Sequence, residues 1–181
     1  MQYIDYNDLL KFTNKILLKA GLNRFSAKKV TLGLCETSLR GVDSHGIRLL
    51  RHYVTSALKG KKNPKPNFRF IRKFPCISIL EADRAFGHAA GFKAIERCSK
   101  DAKKFGVGIT VVRNSTHPGA LASIALKASR EGFASFAFTN ADSLMLSYNG
   151  KNAFFGTNPI CFTAPSLEGE PFCLDMATTI F

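Results

Sequence analysis

The sequence predicts a small helical region followed by an α/β region, and three observations support this. In the first sixty residues, apolar side chains recur at helical spacing between residues that begin and end helices. Residues 61–75 then contain three prolines and many cations, a composition typical of a connector. From residue 76 onward, short apolar runs of strand type alternate with helical segments. We therefore expect a helical N-terminal region (1–60), a connector (61–75) and an α/β domain (76–181).

Residues that favour helix ends divide the N-terminal region into three helices. The predicted helices run from Asp5 or Asn7 to Gly21, from Ser26 to Arg40 with Gly41 as the stop, and from near Asp43-Ser44 to Gly60.

The α/β domain is predicted from apolar runs and their turns. The predicted strands are 76–82, 107–112, 133–139, 161–164 and 172–176, and the predicted helices are 88–105 and 120–130. Gly106-Val107-Gly108 lacks the third glycine of a GxGxxG turn, so a Rossmann fingerprint is absent. Residues 176–181 are apolar and have no closing helix, so we expect this domain to continue in further sequence or to need a partner.

Composition excludes several classes of protein. No stretch approaches the roughly 18–20 uncharged apolar residues of a membrane span, and the start MQYIDYNDLLK lacks the pattern of a signal peptide. Five cysteines are widely spread and form no CxxC pair, which argues against disulfides and structural zinc. We therefore expect a cytoplasmic protein with no membrane partner and no metal.

The positive charge is concentrated in the first part of the chain. The formal net charge is +13, and the segment from Arg51 to Lys73 holds eight basic residues and no acidic one. Such a run favours either a nucleic-acid surface or a solvated surface that attracts small anions. No nucleic-acid-binding motif accompanies it, so we expect no nucleic-acid partner.

Two histidines lie where proton transfer or substrate binding is plausible on chemical grounds. His45 follows Asp43 and Ser44, at a predicted helix start that favours an anion, and Arg48 follows one turn later. His117 comes directly after a predicted strand, where ligands of open α/β sheets collect. The alternatives are a surface histidine on a capped helix for His45 and a loop histidine that bonds the backbone for His117.

Four motifs in register carry a family resemblance. They are Asp43-Ser44-His45-Gly46, Asn114-Ser115-Thr116-His117-x-Gly119-Ala120, Gly156-Thr157-Asn158-Pro159 and Leu174-Asp175-Met176-Ala177-Thr178. The chain resembles the type-2 malate/L-lactate dehydrogenases, which include ureidoglycolate and sulfolactate dehydrogenases. The resemblance runs from about residue 5 to the end, and family members are markedly longer.

The resemblance implies a non-Rossmann cofactor domain with a mixed, largely antiparallel sheet, NAD or NADP as cofactor, and a homodimer. It implies that His117 is the acid/base residue and that Ser44 and His45 belong to the catalytic pocket. It also implies a cofactor site that includes Ala141, Asp175, Met176 and Ala177. Arg48 is the expected partner of the substrate carboxylate, with Arg51 as the alternative because many members place this arginine one residue later.

The implied reaction interconverts a small 2-hydroxy acid and its 2-oxo acid, with a cyclic imino acid as a substrate alternative within the family. A different hypothesis is a truncated, non-catalytic chain whose basic segment binds anions or nucleic acid. Because half of the implied cofactor cleft is missing, we expect these 181 residues alone to be inactive.

Overall fold

The computed structural model describes residues 3–179. These residues form five α-helices, eight strands and two 3₁₀ turns. The helices are α1 (Tyr6–Lys19), α2 (Arg24–Leu39), α3 (Leu50–Leu58), α4 (Gly87–Phe105) and α5 (Ala122–Ser129). The strands are β1 (Arg69–Phe74), β2 (Ile77–Ala85), β3 (Ile109–Ser115), β4 (Ser135–Phe138), β5 (Ser143–Leu146), β6 (Ala153–Gly156), β7 (Ile160–Ala164) and β8 (Phe172–Met176). Ile180 and Phe181, part of the apolar end noted above, lie outside the described residues.

The eight strands form three small sheets. In the first, β1 pairs antiparallel with β2, and β2 pairs parallel with β3. The parallel pair is possible because the 19-residue helix α4 returns the chain to the start of the sheet. The second sheet has the antiparallel order β4-β7-β8, and β5 pairs antiparallel with β6. These pairings confirm the α/β class with mixed, largely antiparallel pairing.

Side-chain caps explain where the first two helices begin. The Asp5 carboxylate accepts hydrogen bonds from the amides of Asn7 and Asp8, at 2.9 and 3.1 Å. The Asn23 side chain accepts from the amide of Ser26, so α2 begins at Arg24 rather than at the predicted Ser26. Ser26 lies inside the first turn of α2.

The prediction of one continuous third helix from Asp43-Ser44 was wrong. Residues 43–49 form two 3₁₀ turns, Asp43–His45 and Ile47–Leu49, and α3 begins at Leu50. Gly46 separates the turns because it packs on α2, where an added Cβ would lie 2.1 Å from the Ser38 hydroxyl oxygen. That hydroxyl also accepts the Ile47 amide at 2.8 Å. Ser44 therefore caps no α-helix, and the expected helix dipole is missing at this point.

Three strands have no counterpart in the sequence prediction. β1 lies inside the predicted connector, and β5 and β6 form a hairpin in a segment to which no element was assigned. The helical region and the α/β region also share a core, in which Leu17, Leu34 and Tyr53 pack with Phe86 and Ala89. The boundaries at residues 60 and 75 remain a prediction.

The two faces of the β4-β7-β8 sheet differ. One face packs against α5, where Leu121, Ala125 and Leu126 contact Cys161. The other face carries apolar side chains that are exposed among the described residues, namely Phe136, Phe138, Ile160, Phe172, Leu174 and Met176. Within residues 3–179, no helix is both long and apolar enough to cross a membrane.

Candidate active site

His117 lies on the loop between β3 and α5, and its ring contacts two other elements. Its Nδ1 atom is 3.2 Å from the Tyr53 hydroxyl oxygen of α3. The amide of Gly119 also points at Nδ1, at 3.3 Å. The ring of His45 lies with its centroid 5.6 Å from that of His117. The fold thus brings together the two histidines that the sequence singled out.

The loop that carries His117 is held against the junction of β2 and α4. The Thr116 hydroxyl donates to the carbonyl of Ala85 at 3.0 Å. Gly87, the first residue of α4, is so close that an added Cβ would lie 2.3 Å from the Thr116 carbonyl oxygen. A side chain at residue 87 would therefore displace the loop, and this close approach fixes the position of His117.

Three buried residues behind His117 were not assigned to the site by sequence reasoning. Tyr53 and His88 are both fully buried, with ring centroids 5.6 Å apart. The Lys62 ammonium lies 4.1 Å from the centroid of the Tyr53 ring. Tyr53 occurred at helical spacing and indicated only a core position, His88 resembled a helix-start residue, and Lys62 belonged to a basic run typical of a solvated surface. Only the tertiary contacts place them here.

This environment favours uncharged side chains. Burial, and then the neighbouring charges of His45 and Lys62, lower the pKa of His117 to about 4, although the residue as a whole is exposed. Burial lowers the pKa of His88 to about 3 and that of Lys62 to about 8, and it raises the pKa of Tyr53. His117 is therefore neutral at pH 7 and has the charge state of a general base.

The four other pocket residues lie on the exposed side of the site. The Ser44 hydroxyl oxygen is 3.0 Å from Nδ1 of His45, and both residues are exposed. Arg48 and Arg51 are also exposed, and neither forms an ion pair or side-chain hydrogen bond within residues 3–179. Both guanidinium groups are thus available to an anion, and the geometry does not distinguish between them.

The segments expected at a cofactor site are joined by hydrogen bonds. The amide of Ala141 donates to the Asn158 side chain at 3.0 Å, and Gly156 packs so closely that a Cβ would lie 2.3 Å from the Ala141 carbonyl oxygen. Both the amide and the hydroxyl of Thr178 donate to the carbonyl of Thr157 at 3.0 Å. The loop after β4, the turn before β7 and the end of β8 therefore form one continuous surface.

This surface is linked to His117 by charge and to α5, the helix after the His117 loop, by a hydrogen bond. The charge of Asp142, the residue after Ala141, acts on the His117 ring and opposes the lowering of its pKa. The Asp175 carboxylate accepts the amide of Ala122 at 2.8 Å and so fastens the end of β8 to the first residue of α5. Asp175 thus has a structural bond in addition to any contact with a ligand, while Met176 and Ala177 are exposed.

Residues 176 and 177 are exposed and lie directly after the Asp175 carboxylate. Their donor set is backbone amide and carbonyl groups with one carboxylate, which suits a dinucleotide. Across residues 3–179, no cluster of three or more His, Cys, Asp or Glu side chains has an arrangement suited to a metal ion.

Comparison with known proteins assigns the family. Residues 4–181 match the family model described as malate/L-lactate dehydrogenase, and the chain belongs to this family. It is 38% identical to malate dehydrogenase of Pyrococcus abyssi over 98% of the chain and 51% of the relative. It is 34% identical to ureidoglycolate dehydrogenase (NAD(+)) of Escherichia coli K12 over 91% of the chain and 47% of the relative.

A solved structure shows the same fold. Malate dehydrogenase from Pyrococcus horikoshii superposes with a TM-score of 0.93 at 34% identity, covering 100% of this chain and 54% of that one. The chain spans about half the length of the curated relatives it matches.

Proposed function

We propose that this chain provides the acid/base and substrate-binding part of an NAD- or NADP-dependent dehydrogenase that interconverts a small 2-hydroxy acid and its 2-oxo acid. The observation that carries the proposal is the position of His117. A neutral imidazole, supported by Tyr53 and facing His45, lies within reach of the charge of Asp142, the residue after Ala141. Family membership supports the same chemistry.

In the oxidative direction, His117 takes the proton of the substrate hydroxyl. Tyr53 lies at Nδ1, which leaves Nε2 as the nitrogen that meets the substrate. Nε2 can accept a proton only in the tautomer in which Nδ1 carries the ring hydrogen. In that tautomer Nδ1 donates to the Tyr53 hydroxyl oxygen, and the Gly119 amide gives up its contact with Nδ1. A bound NAD or NADP, held by the surface that contains Ala141, Asp175, Met176 and Ala177, would supply a nicotinamide ring as acceptor for the hydride of the carbon that bears this hydroxyl. In the reductive direction, His117 returns the proton to the oxo oxygen.

The substrate carboxylate requires a cation on the open side of the site. We assign it to Arg48, with Arg51 as the alternative, because both guanidinium groups are exposed and unpaired within the described residues. Ser44 and His45 line the same side and offer hydrogen bonds to the substrate oxygens. The relatives' names include malate and ureidoglycolate dehydrogenases, and a cyclic imino acid remains a further candidate.

We further propose that the cofactor surface includes Ala141, Asp175, Met176 and Ala177, and that the active protein is a cytoplasmic homodimer. Support for NAD comes from the E. coli relative, whose name specifies NAD(+). NADP is equally compatible with the exposed backbone at this surface.

The test is a substrate panel with both cofactors, run on the longest polypeptide that the gene encodes. We expect turnover of at least one 2-hydroxy acid, and a fall of about 10²–10⁴ in kcat for His117→Asn, the usual contribution of a positioned acid/base group. Lys61→Met removes an exposed charged side chain just after α3 and serves as the control. A His117→Asn variant that retained a tenth of the rate would exclude this role.

The carboxylate assignment is tested in the same panel. Arg48→Leu removes a charge-assisted hydrogen bond worth roughly 1.5–3 kcal/mol, which corresponds to about 10–150-fold in kcat/KM. If Arg51→Leu shows this loss instead, Arg51 is the residue that holds the carboxylate.

A further inference from the structure

Lys62 is a buried cation without a hydrogen-bond partner. The residue is 7% exposed, and its Nζ atom has no hydrogen-bonding partner in the structure. Its nearest groups are aromatic faces, with the Tyr53 centroid at 4.1 Å and the Phe86 centroid at 5.4 Å. Burying an unpaired ammonium opposes folding, and cation–π contacts offset only part of that cost. A feature of this kind suggests a role other than stability.

The backbone around Lys62 holds the side chain in this inward position. The Arg84 guanidinium donates to the carbonyls of Gly60 and Lys61, at 2.9 and 3.1 Å. On the other side, the Asn63 amide donates to the Arg84 carbonyl at 2.9 Å. Because both neighbours are fixed to the same arginine, Lys62 points inward while Lys61 is exposed.

Tyr53 connects Lys62 to His117. The ammonium lies against the face of the Tyr53 ring, and the hydroxyl at the far end of that ring is 3.2 Å from Nδ1 of His117. The charge of a buried ammonium acts across the Tyr53 ring because few water molecules screen it. We propose that Lys62 is a positioning residue for the acid–base reaction: its buried ammonium, held against Tyr53, opposes the formation of a second positive charge on His117.

Other titratable side chains near His117 come from several elements. The 3₁₀ turn at residues 43–45, α3, α4 and the loop after β4 contribute His45, His52, Tyr53, His88 and Asp142. Of these, Asp142 raises the pKa of His117, while Lys62, His45 and His52 lower it. Lys62, whose pKa is about 8, carries its charge at neutral pH. It therefore keeps His117 neutral and ready to accept a proton, which places the acid limb of the pH–rate profile at low pH.

The experiment is an NMR titration of the His117 ring in the 181-residue chain, with its signals assigned by their loss in His117→Asn. Lys62→Met removes the charge and keeps an unbranched side chain. We expect the titration midpoint of His117 to rise by about one pH unit. Lys62→Arg retains the charge and should restore the original midpoint. Lys61→Met removes an exposed charge from the adjacent residue and should leave the midpoint unchanged.

A second measurement needs no substitution. Lys62 loses its proton near pH 8, so the His117 ring signals of the unaltered chain should show a second step there. An unchanged His117 midpoint in Lys62→Met would overturn the proposal. If Lys62→Met does not fold, the absence of a step near pH 8 in the unaltered chain would overturn it.

This proposal rests on the acid/base role of His117, and the two can fail separately. The titration reports the coupling between Lys62 and His117 without turnover, whereas the His117→Asn panel reports the reaction itself. In the active protein, Lys62→Met should move the acid limb of kcat/KM to higher pH by the same amount as the midpoint. A lysine that only filled space would change the stability of the protein and leave this limb in place.

Discussion

At the residue scale, His117 and His88 show how burial changes a titratable side chain. His88 is fully buried, and both of its ring nitrogens lack a hydrogen-bonding partner in the structure. The ring fits between Gly33 of α2 and Gly119, where added Cβ atoms would lie 2.0 Å from Cδ2 and 2.4 Å from Nε2. Protonation would place a charge where no acceptor is available, so the folded state holds His88 neutral.

This residue predicts how stability depends on pH. The pKa of His88 is about 3 in the folded chain, against 6.5 for an ordinary histidine. Between these values, the unfolded state binds one proton more than the folded state. Stability from the neutral ring is therefore fully present above pH 6.5 and falls as the pH decreases toward 3. We expect a loss of about 1.4 kcal/mol per pH unit from this group.

Urea unfolding between pH 7.5 and 4.5 measures that slope. His88→Leu removes the titrating ring and should flatten the slope, while His52→Gln removes an exposed histidine and should not. If the free energy of unfolding of His88→Leu fell with pH as steeply as that of the unaltered chain, His88 would not be the group responsible. His117 contributes in the same direction, but less, because it is exposed and the pKa of its ring is lowered less.

At the element scale, α5 depends on a side chain from a distant strand. No side chain of its own segment caps its first turn, and the Asp175 carboxylate of β8 accepts the Ala122 amide instead. This bond joins the helix that follows the His117 loop to the strand that ends at the proposed cofactor surface. The carboxylate adds a hydrogen bond to the apolar packing that already holds α5 against this sheet.

Substitution of Asp175 measures what its hydrogen bond to Ala122 contributes to stability. Asp175→Ala should lower the free energy of unfolding by about 1 kcal/mol, the usual effect of losing a helix cap. Asp175→Asn keeps an oxygen acceptor and should lose much less. Urea unfolding provides the measurement. Equal stability of Asp175→Ala and the unaltered chain would show that the bond to Ala122 contributes nothing.

The basic segment from Arg51 to Lys73 is also divided by its elements. Lys62 is buried, and Arg72 in β1 pairs with Asp101 of α4 at 3.4 Å. The eight cations therefore do not form one continuous exposed surface. This arrangement gives less support to the alternative hypothesis of a nucleic-acid-binding chain than the sequence run did.

At the scale of the whole molecule, the outer face of the β4-β7-β8 sheet carries a cluster of exposed apolar side chains. Phe136 and Phe138 stack with centroids 6.1 Å apart, and Phe162 lies 4.7 Å from Phe136. Aromatic surfaces of this kind favour association in water. The chain spans about half the length of the relatives that it matches.

We expect the 181-residue chain by itself to self-associate and to show no micromolar affinity for NADH or NADPH. The proposed cofactor surface forms one wall only, and hydride transfer requires reacting atoms held about 3–3.5 Å apart. Sedimentation and calorimetry on the purified chain measure the two properties. Phe136→Thr with Phe138→Thr should reduce association, and Leu167→Thr, in an exposed turn away from this face, should not. Micromolar cofactor binding would show that the wall described here is sufficient.

The sequence by itself determined the bounds of α1, α2, α4 and α5 to within about two residues, most of the strands and the two candidate histidines. These depend on local chemistry: Asp5 caps α1, Gly106 ends α4 in the left-handed conformation, and His117 follows a strand. The tertiary structure decided which distant segments contact each other. α2 breaks the predicted third helix through Ser38 and Gly46, and β1 becomes a strand because β2 pairs with it. Tyr53, His88 and Lys62 join His117 only through packing, because burial and charge at one ring depend on residues far apart in the chain.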